Sequence, residues 1–166
     1  MLPFGLLACL APLKTPPPDI PALPAIVLDT NVVLDWLLFC NPECERLGEW
    51  LQAGKVRWLA SAAMRDELVH VLGRRRLDKW RPEETALWAT WDRVSIPVEA
   101  PAPASPAARL RCTDADDQKF IDLALASGAR WLLSRDRAVL KLARAARDQG
   151  LMIQTPGSWS AANATG

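Results

Sequence analysis

Four carboxylates stand where solvation alone does not explain an acid. Asp29 ends the apolar run Ala25-Ile-Val-Leu28, and Asp136 follows residues 130–134 in the same way. Glu67 lies at the border of the apolar stripe of a helix. Asp117 shares one helix face with Phe120, Ile121 and Ala124, so it extends a buried stripe while Asp116 falls to its side. No cysteine accompanies these acids, and the single histidine, His70, reads as a surface or core-border residue one turn beyond Glu67. An all-oxygen donor set suits Mg²⁺ or Mn²⁺ rather than zinc. Left bare, such carboxylates repel and raise one another's pKa. With one or two divalent ions they would activate water and stabilise the leaving oxygen of a phosphodiester. The catalytic and metal-binding candidates are therefore Asp29, Glu67, Asp117 and Asp136, with Asp116 as the alternative third acid.

The elements that must position these residues follow from the apolar pattern. Residues 25–28 form a short run that suits a strand buried on both faces. Asn31 reads as the cap of the helix after it. A second helix is expected over residues 43–53, ended by Gly54, and a second strand over 56–60. Ser61 reads as the N-cap of a helix over 62–72, with Met64, Leu68, Val71 and Leu72 on its apolar face. A helix starting at Pro82 carries Leu87, Trp88 and Trp91. Residues 94–98 read as a weak edge strand, because Pro97 cannot donate to a ladder, and residues 100–108 as a surface loop. Residues 114–127 are expected to form a helix opened by acids, followed by a strand at 130–134, a helix at 138–147 stopped by Gly150, and a last strand at 151–154. This alternation predicts a three-layer α/β/α sandwich with a central, mostly parallel sheet. Helices that connect parallel strands start at the C-terminal edge of the sheet. There ligands bind, and there the four acids should gather.

The chain has 166 residues, half of them hydrophobic, with a formal net charge of +1. That length is one domain's worth. Near-neutrality excludes neither nucleic acid nor acidic partners, because a local patch matters more than the sum. One dense basic cluster follows the Glu67 helix: Arg74, Arg75, Arg76, Lys79 and Arg81 are the candidate contacts to nucleic-acid phosphates. The eight tryptophans sit mostly at core spacing, so packing outweighs base stacking for them. Four cysteines lack the density or spacing of a disulfide framework and read as free thiols in the cytoplasm. The apolar run at residues 2–13 is shorter than the roughly 20 residues that span a bilayer, so no membrane partner is expected. Residues 1–24 read as a disordered or extended proline-rich leader, 25–159 as the folded domain and 160–166 as a flexible tail. No glycine-rich turn follows the first strand, which disfavours a dinucleotide-binding domain.

The order of motifs resembles the PIN (PilT N-terminal) nuclease domain. Leu28-Asp29-Thr-Asn31, residues 61–72 with Glu67, Asp114-Ala-Asp-Asp-Gln-Lys-Phe120, Ala124-Leu-Ala-Ser-Gly128 and Leu133-Ser-Arg-Asp136 carry the resemblance. The ending Gly150-Leu-Met-Ile-Gln-Thr-Pro156 is similar to the bacterial branch described as toxin components of toxin–antitoxin systems. The resemblance implies a PIN-like fold and a Mg²⁺- or Mn²⁺-dependent endoribonuclease, with an RNA substrate and a cognate antitoxin protein. A homodimer is a further candidate assembly. It places the family's acidic quartet on Asp29, Glu67, Asp117 and Asp136, and assigns Asn31 and Ser134 to hydrogen-bond the first and last acids. Two other readings compete. One is a catalytically decayed RNA-binding module. The other is a haloacid-dehalogenase-type phosphotransferase, which also places an aspartate after its first strand but wants a second acid where this chain has Asn31.

Overall fold

The computed structural model describes residues 23–105 and 109–163, with the side chains of residues 80–82 left out. Apart from Leu23 and Pro24, the expected leader lies outside the described residues, and so does the end of the expected tail. The first strand, β1 (Ala25–Leu28), is buried along its whole length, which is why its sequence is an unbroken apolar run. It pairs in parallel with β2 (Arg57–Ala60) on one side and with β4 (Trp131–Leu133) on the other. β3 (Ser95–Pro97) and β5 (Met152–Gln154) complete a sheet of order β3-β2-β1-β4-β5, parallel at every pairing among the described residues.

Parallel neighbours need helical crossovers, and these cover both faces. α1 (Thr30–Leu37), α2 (Glu45–Gln52), α3 (Ala62–Leu72) and α4 (Glu84–Val94) connect the first three strands. α5 (Gln118–Ala126) leads into β4. α6 (Arg137–Leu140) and α7 (Ala143–Arg147) lead into β5, and α8 (Pro156–Ala162) closes the described chain. From β1 the chain works outward to β3, then returns to the other side of β1 for β4 and β5. The C-terminal ends of β1 and β4 are therefore the point where strand order reverses, the preferred ligand crevice of such sheets. The three-layer α/β/α reading holds. Pro97 sits on the edge strand, where its missing N–H leaves the sheet intact.

Several local expectations need correction. Asn31 does not cap the first helix: α1 begins at Thr30 with Asp29 in the N-cap position, and Asn31 lies inside the first turn. The helix expected from residue 114 begins at Gln118. Asp114 Oδ1 accepts the Asp116 N–H at 2.9 Å and bends residues 114–116 into a side-chain-stabilised turn instead. The helix expected over 43–53 is split into a 3₁₀ turn at Pro42–Cys44, capped by Asn41, and α2. The helix expected from Pro82 starts two residues later, because Arg75–Glu83 is a 3₁₀ segment. The helix expected over 138–147 is broken in two: the Leu142 N–H bonds back to Val139, three residues away, and the ladder restarts as α7. Among the described residues no helix is long and apolar enough to cross a membrane.

α8 has no counterpart in the sequence reading, although its start signals are present. Thr155 Oγ1 accepts the Ser158 N–H, and Pro156 occupies the first turn. The helix carries Trp159, which is fully buried edge-on against Trp50 and Trp131 with ring centroids at 5.2 and 5.7 Å. Ser160–Ala162, expected in the tail, belong to this helix. Trp159→Ala should destabilise the protein by about 3–5 kcal/mol through lost burial and a residual cavity, read as a fall in the urea midpoint at unchanged slope. A loss under about 1 kcal/mol would mean that α8 is docked only loosely.

Candidate active site

Parallel pairing of Leu28 with Leu133 fixes the site's first contact, because one residue further along each strand stand Asp29 and Ser134. The Asp29 N–H continues the ladder to Leu133 O at 3.0 Å. Asp29 is only 3% exposed, and a carboxylate there requires donors. Ser134 Oγ donates to Asp29 Oδ2 at 2.5 Å and Asn31 Nδ2 donates to the same oxygen at 3.1 Å. Asn31 Oδ1 accepts the Arg135 N–H at 3.2 Å, and Ser134 Oγ accepts the Asp136 N–H at 2.9 Å. Two short polar side chains thus tie the ends of β1 and β4 together through Asp29. Burial still outweighs the donors: it pushes the Asp29 carboxyl above its ordinary pKa, with the Ser134 hydroxyl and the Asn31 backbone N–H opposing the rise and Glu67 and Asp136 adding to it.

Asp117 stands in the N-cap position of α5 but forms no cap bond. Its Oδ2 is buried and has no hydrogen-bond partner among the described residues. Burial first, and then the charges of Asp29, Asp136, Asp114 and Glu67, push its pKa up to about 7. Glu67 on α3 is served at both oxygens: Thr30 Oγ1 donates to Oε1 at 2.7 Å, and Lys119 Nζ pairs with Oε2. Asp136 caps α6, its Oδ1 accepting the Ala138 N–H at 2.6 Å.

An open cleft of about 700 Å³ is lined by Asp29, Asn31, Glu67, Asp116, Asp117 and Lys119, and also by Asp66, His70, Arg74 and Asp114. The cleft therefore brings three of the four expected acids together. Asp136 is not among its lining residues and reaches it through Ser134 and through its field on Asp29 and Asp117. Between the two neighbouring acids, Asp117 holds the buried, unpartnered oxygen. Asp116 lines the cleft while its carbonyl accepts from Lys119. Of the basic cluster, Arg74 lines the cleft, and Arg75 and Arg76 share a neighbouring exposed hollow with it. Lys79 is exposed on the 3₁₀ segment, and the Arg81 side chain lies outside the described residues.

Three partners escaped the sequence reading: Thr30 and Lys119, which hold Glu67, and Arg135, whose guanidinium bridges Asp35 and Glu43, the latter at 2.6 Å. Each directly follows or lies two residues from a singled-out residue, so adjacency was the signal available. Among the described residues no three acids are grouped closely enough to form a ready-made cation site. The donor chemistry nonetheless fits a hard cation: every acid offers oxygen, and Asp117 Oδ2 is a buried oxygen without a donor.

The fold is an all-parallel α/β domain with acids gathered at its strand-order reversal. A profile of the PIN domain, a nuclease family, matches residues 25–138, a span that includes all four acids, and the chain belongs to this family. The crystal structure of VapBC2 from Rickettsia felis bound to a DNA fragment from their promoter is similar in fold, with a TM-score of 0.55 and 13% identity over 79% of this chain and 98% of that chain. No curated protein matches the sequence. With the family shown, and an amide rather than an acid at residue 31, the haloacid-dehalogenase-type reading is set aside.

Asp117 has a pH consequence. Its carboxyl, at 3.8 in the unfolded chain and about 7 in the fold, keeps a proton that the unfolded chain has already lost between those values. The metal-free protein should therefore lose stability as pH rises across that window. Melting temperatures in EDTA should fall from pH 4 toward pH 7 in the wild type, and less so in Asp117→Asn. Equal slopes would place the burdened carboxyl elsewhere.

Proposed function

We propose that this chain is a Mg²⁺- or Mn²⁺-dependent endoribonuclease that hydrolyses RNA phosphodiester bonds, with Asp29, Glu67, Asp117 and Asp136 as its acidic quartet. The observation that carries the proposal is the unpartnered, buried Asp117 Oδ2 in the same cleft as Asp29. Burial and mutual repulsion push both carboxyls above their ordinary pKa, a penalty that a bound cation would relieve. When bound, a divalent ion would supply Lewis-acid polarisation of the phosphodiester and a more acidic attacking water. The chain's own residues prepare for this. Ser134 and Asn31 fix the orientation of Asp29 by donating to one of its oxygens, which leaves the other, Oδ1, for a ligand. Asp117, whose carboxyl is pushed up to about 7, would help hold the ion through its unpartnered Oδ2, and binding there would favour its ionised form. Asp136 is held by its own helix cap and adds field rather than contact.

Arg74, Arg75 and Arg76 lead away from the cleft and fit the phosphates of a single strand that runs past the acids. Lys79 and Arg81 extend the same segment in sequence. The resemblance to the toxin branch supports a role as the toxin of a toxin–antitoxin pair in the cytoplasm, held in check by a cognate antitoxin. The VapBC2 fold neighbour, solved on a fragment of promoter DNA, is consistent with such a pairing.

Purified protein should cleave RNA with Mn²⁺ or Mg²⁺ and stop on addition of EDTA. Asp29→Asn should lower the rate on the order of 10³-fold, since it alters the best-positioned acid. Equal residual cleavage by wild type and variant would identify the activity as a contaminant. Replacing Arg74, Arg75 and Arg76 together with Ala should weaken RNA binding and reduce its salt slope by about two units. The melting temperature should hold, because all three side chains are exposed. An unchanged slope would route the RNA elsewhere.

A further inference from the structure

Lys119 places a cation inside the acid-lined cleft. Its Nζ pairs with Glu67 Oε2 and donates to the Asp116 carbonyl, while Thr30 Oγ1 holds Glu67 Oε1 at 2.7 Å. Both oxygens of Glu67 are therefore engaged by the chain's own donors, in the same cleft where Asp117 Oδ2 has none. The two side chains are about one quarter exposed, 26% for Lys119 and 25% for Glu67. At that exposure the pair is partly desolvated yet open to exchange from the cleft. An ion that enters meets two obstacles at Glu67. The oxygen it needs is taken, and the ammonium that takes it carries the same sign of charge.

We propose that Lys119 is a built-in competitor for the divalent ion, holding Glu67 in the metal-free protein and setting the cation affinity of the cleft by the work needed to displace it. The proposal rests on the reading of this cleft as a Mg²⁺ or Mn²⁺ site. It extends that reading by assigning an affinity-determining role to a residue outside the acidic quartet. A surface ion pair that only staples α3 to α5 predicts something different: its loss would lower the melting temperature in EDTA and leave cation affinity alone.

Calorimetric titration of the full chain with Mn²⁺, free of RNA, separates these cases. Lys119→Met keeps the length of the side chain and removes its charge, and it should bind Mn²⁺ about tenfold more tightly than wild type. Lys119→Gln should shift affinity in the same direction and stands in if the Met variant folds poorly. Lys119→Arg retains the competing charge and should stay within about threefold of wild type. The Mn²⁺-induced rise in melting temperature should follow the same order, since a ligand bound only by the fold stabilises according to its affinity. If wild type binds Mn²⁺ and the two neutral variants bind it equally or more weakly, the role of Lys119 is overturned while the cation site stands. If wild type itself neither takes up Mn²⁺ nor gains stability from it, the reading of the cleft falls, and this proposal falls with it.

Discussion

A carboxylate buried at the end of the first strand is the constraint on which the rest of the structure depends. Asp29 is nearly inaccessible, and a charge so placed is tolerated only with donors aimed at it. Those donors come from the residue after β4 and from the first turn of α1. For Ser134 to reach Asp29, β4 must lie beside β1 in a register that pairs Leu28 with Leu133. For Asn31 to reach it, the helix must start directly after the strand, which is why Asp29 itself occupies the N-cap position without serving as a cap. Strand order, helix start and the Ser134 contact are parts of one solution to the burial of one acid.

The second acid is not provided for in the same way. Asp117 is brought to the cleft by α5, with one oxygen buried and unpartnered and its proton retained to about pH 7. A fold selected for stability alone would give that oxygen a donor or remove it. The neighbouring groups show that the chain is able to do so: Glu67 has Thr30 and Lys119, and Asp136 has the Ala138 N–H. The contrast between satisfied and unsatisfied acids within one cleft marks where a ligand is expected to complete the structure. Arg135 adds rigidity at the next position. Its backbone is held by Asn31 and its guanidinium by Asp35 and Glu43, so the loop that carries Ser134 and Asp136 is fastened to α1 from outside.

Much of this was legible in the sequence because its causes are local or periodic. The run Ala25-Ile-Val-Leu28 announces a strand buried on both faces, and the helices around Glu67 and Asp117 announce which acids border the core. Pro97 announces an edge. Other features depend on tertiary partners that a one-dimensional pattern does not contain. Asn31 has the chemistry of a cap, and only the arrival of Ser134 and Arg135 determines that it braces Asp29 instead. Lys119 reads as an ordinary helix charge until α3 and α5 are brought together. The break between α6 and α7 leaves no mark, because residues 138–147 contain neither proline nor glycine. α8 was missed for a different reason. Its Thr155-Pro156 start was visible, but burial of Trp159 between Trp50 and Trp131 emerges only from the fold.

The central claim is that the cleft is a divalent-ion site completed at the unpartnered Asp117 carboxyl, whose raised pKa a bound ion would bring down. Site-resolved ¹³C NMR titration of the Asp117 carboxyl, in EDTA and then in saturating Mg²⁺, measures this directly. The carboxyl should titrate near pH 7 without the ion and drop to or below the ordinary aspartate range with it. A carboxyl that titrates near 4 in EDTA, or one that stays near 7 when Mg²⁺ is added, would contradict the claim.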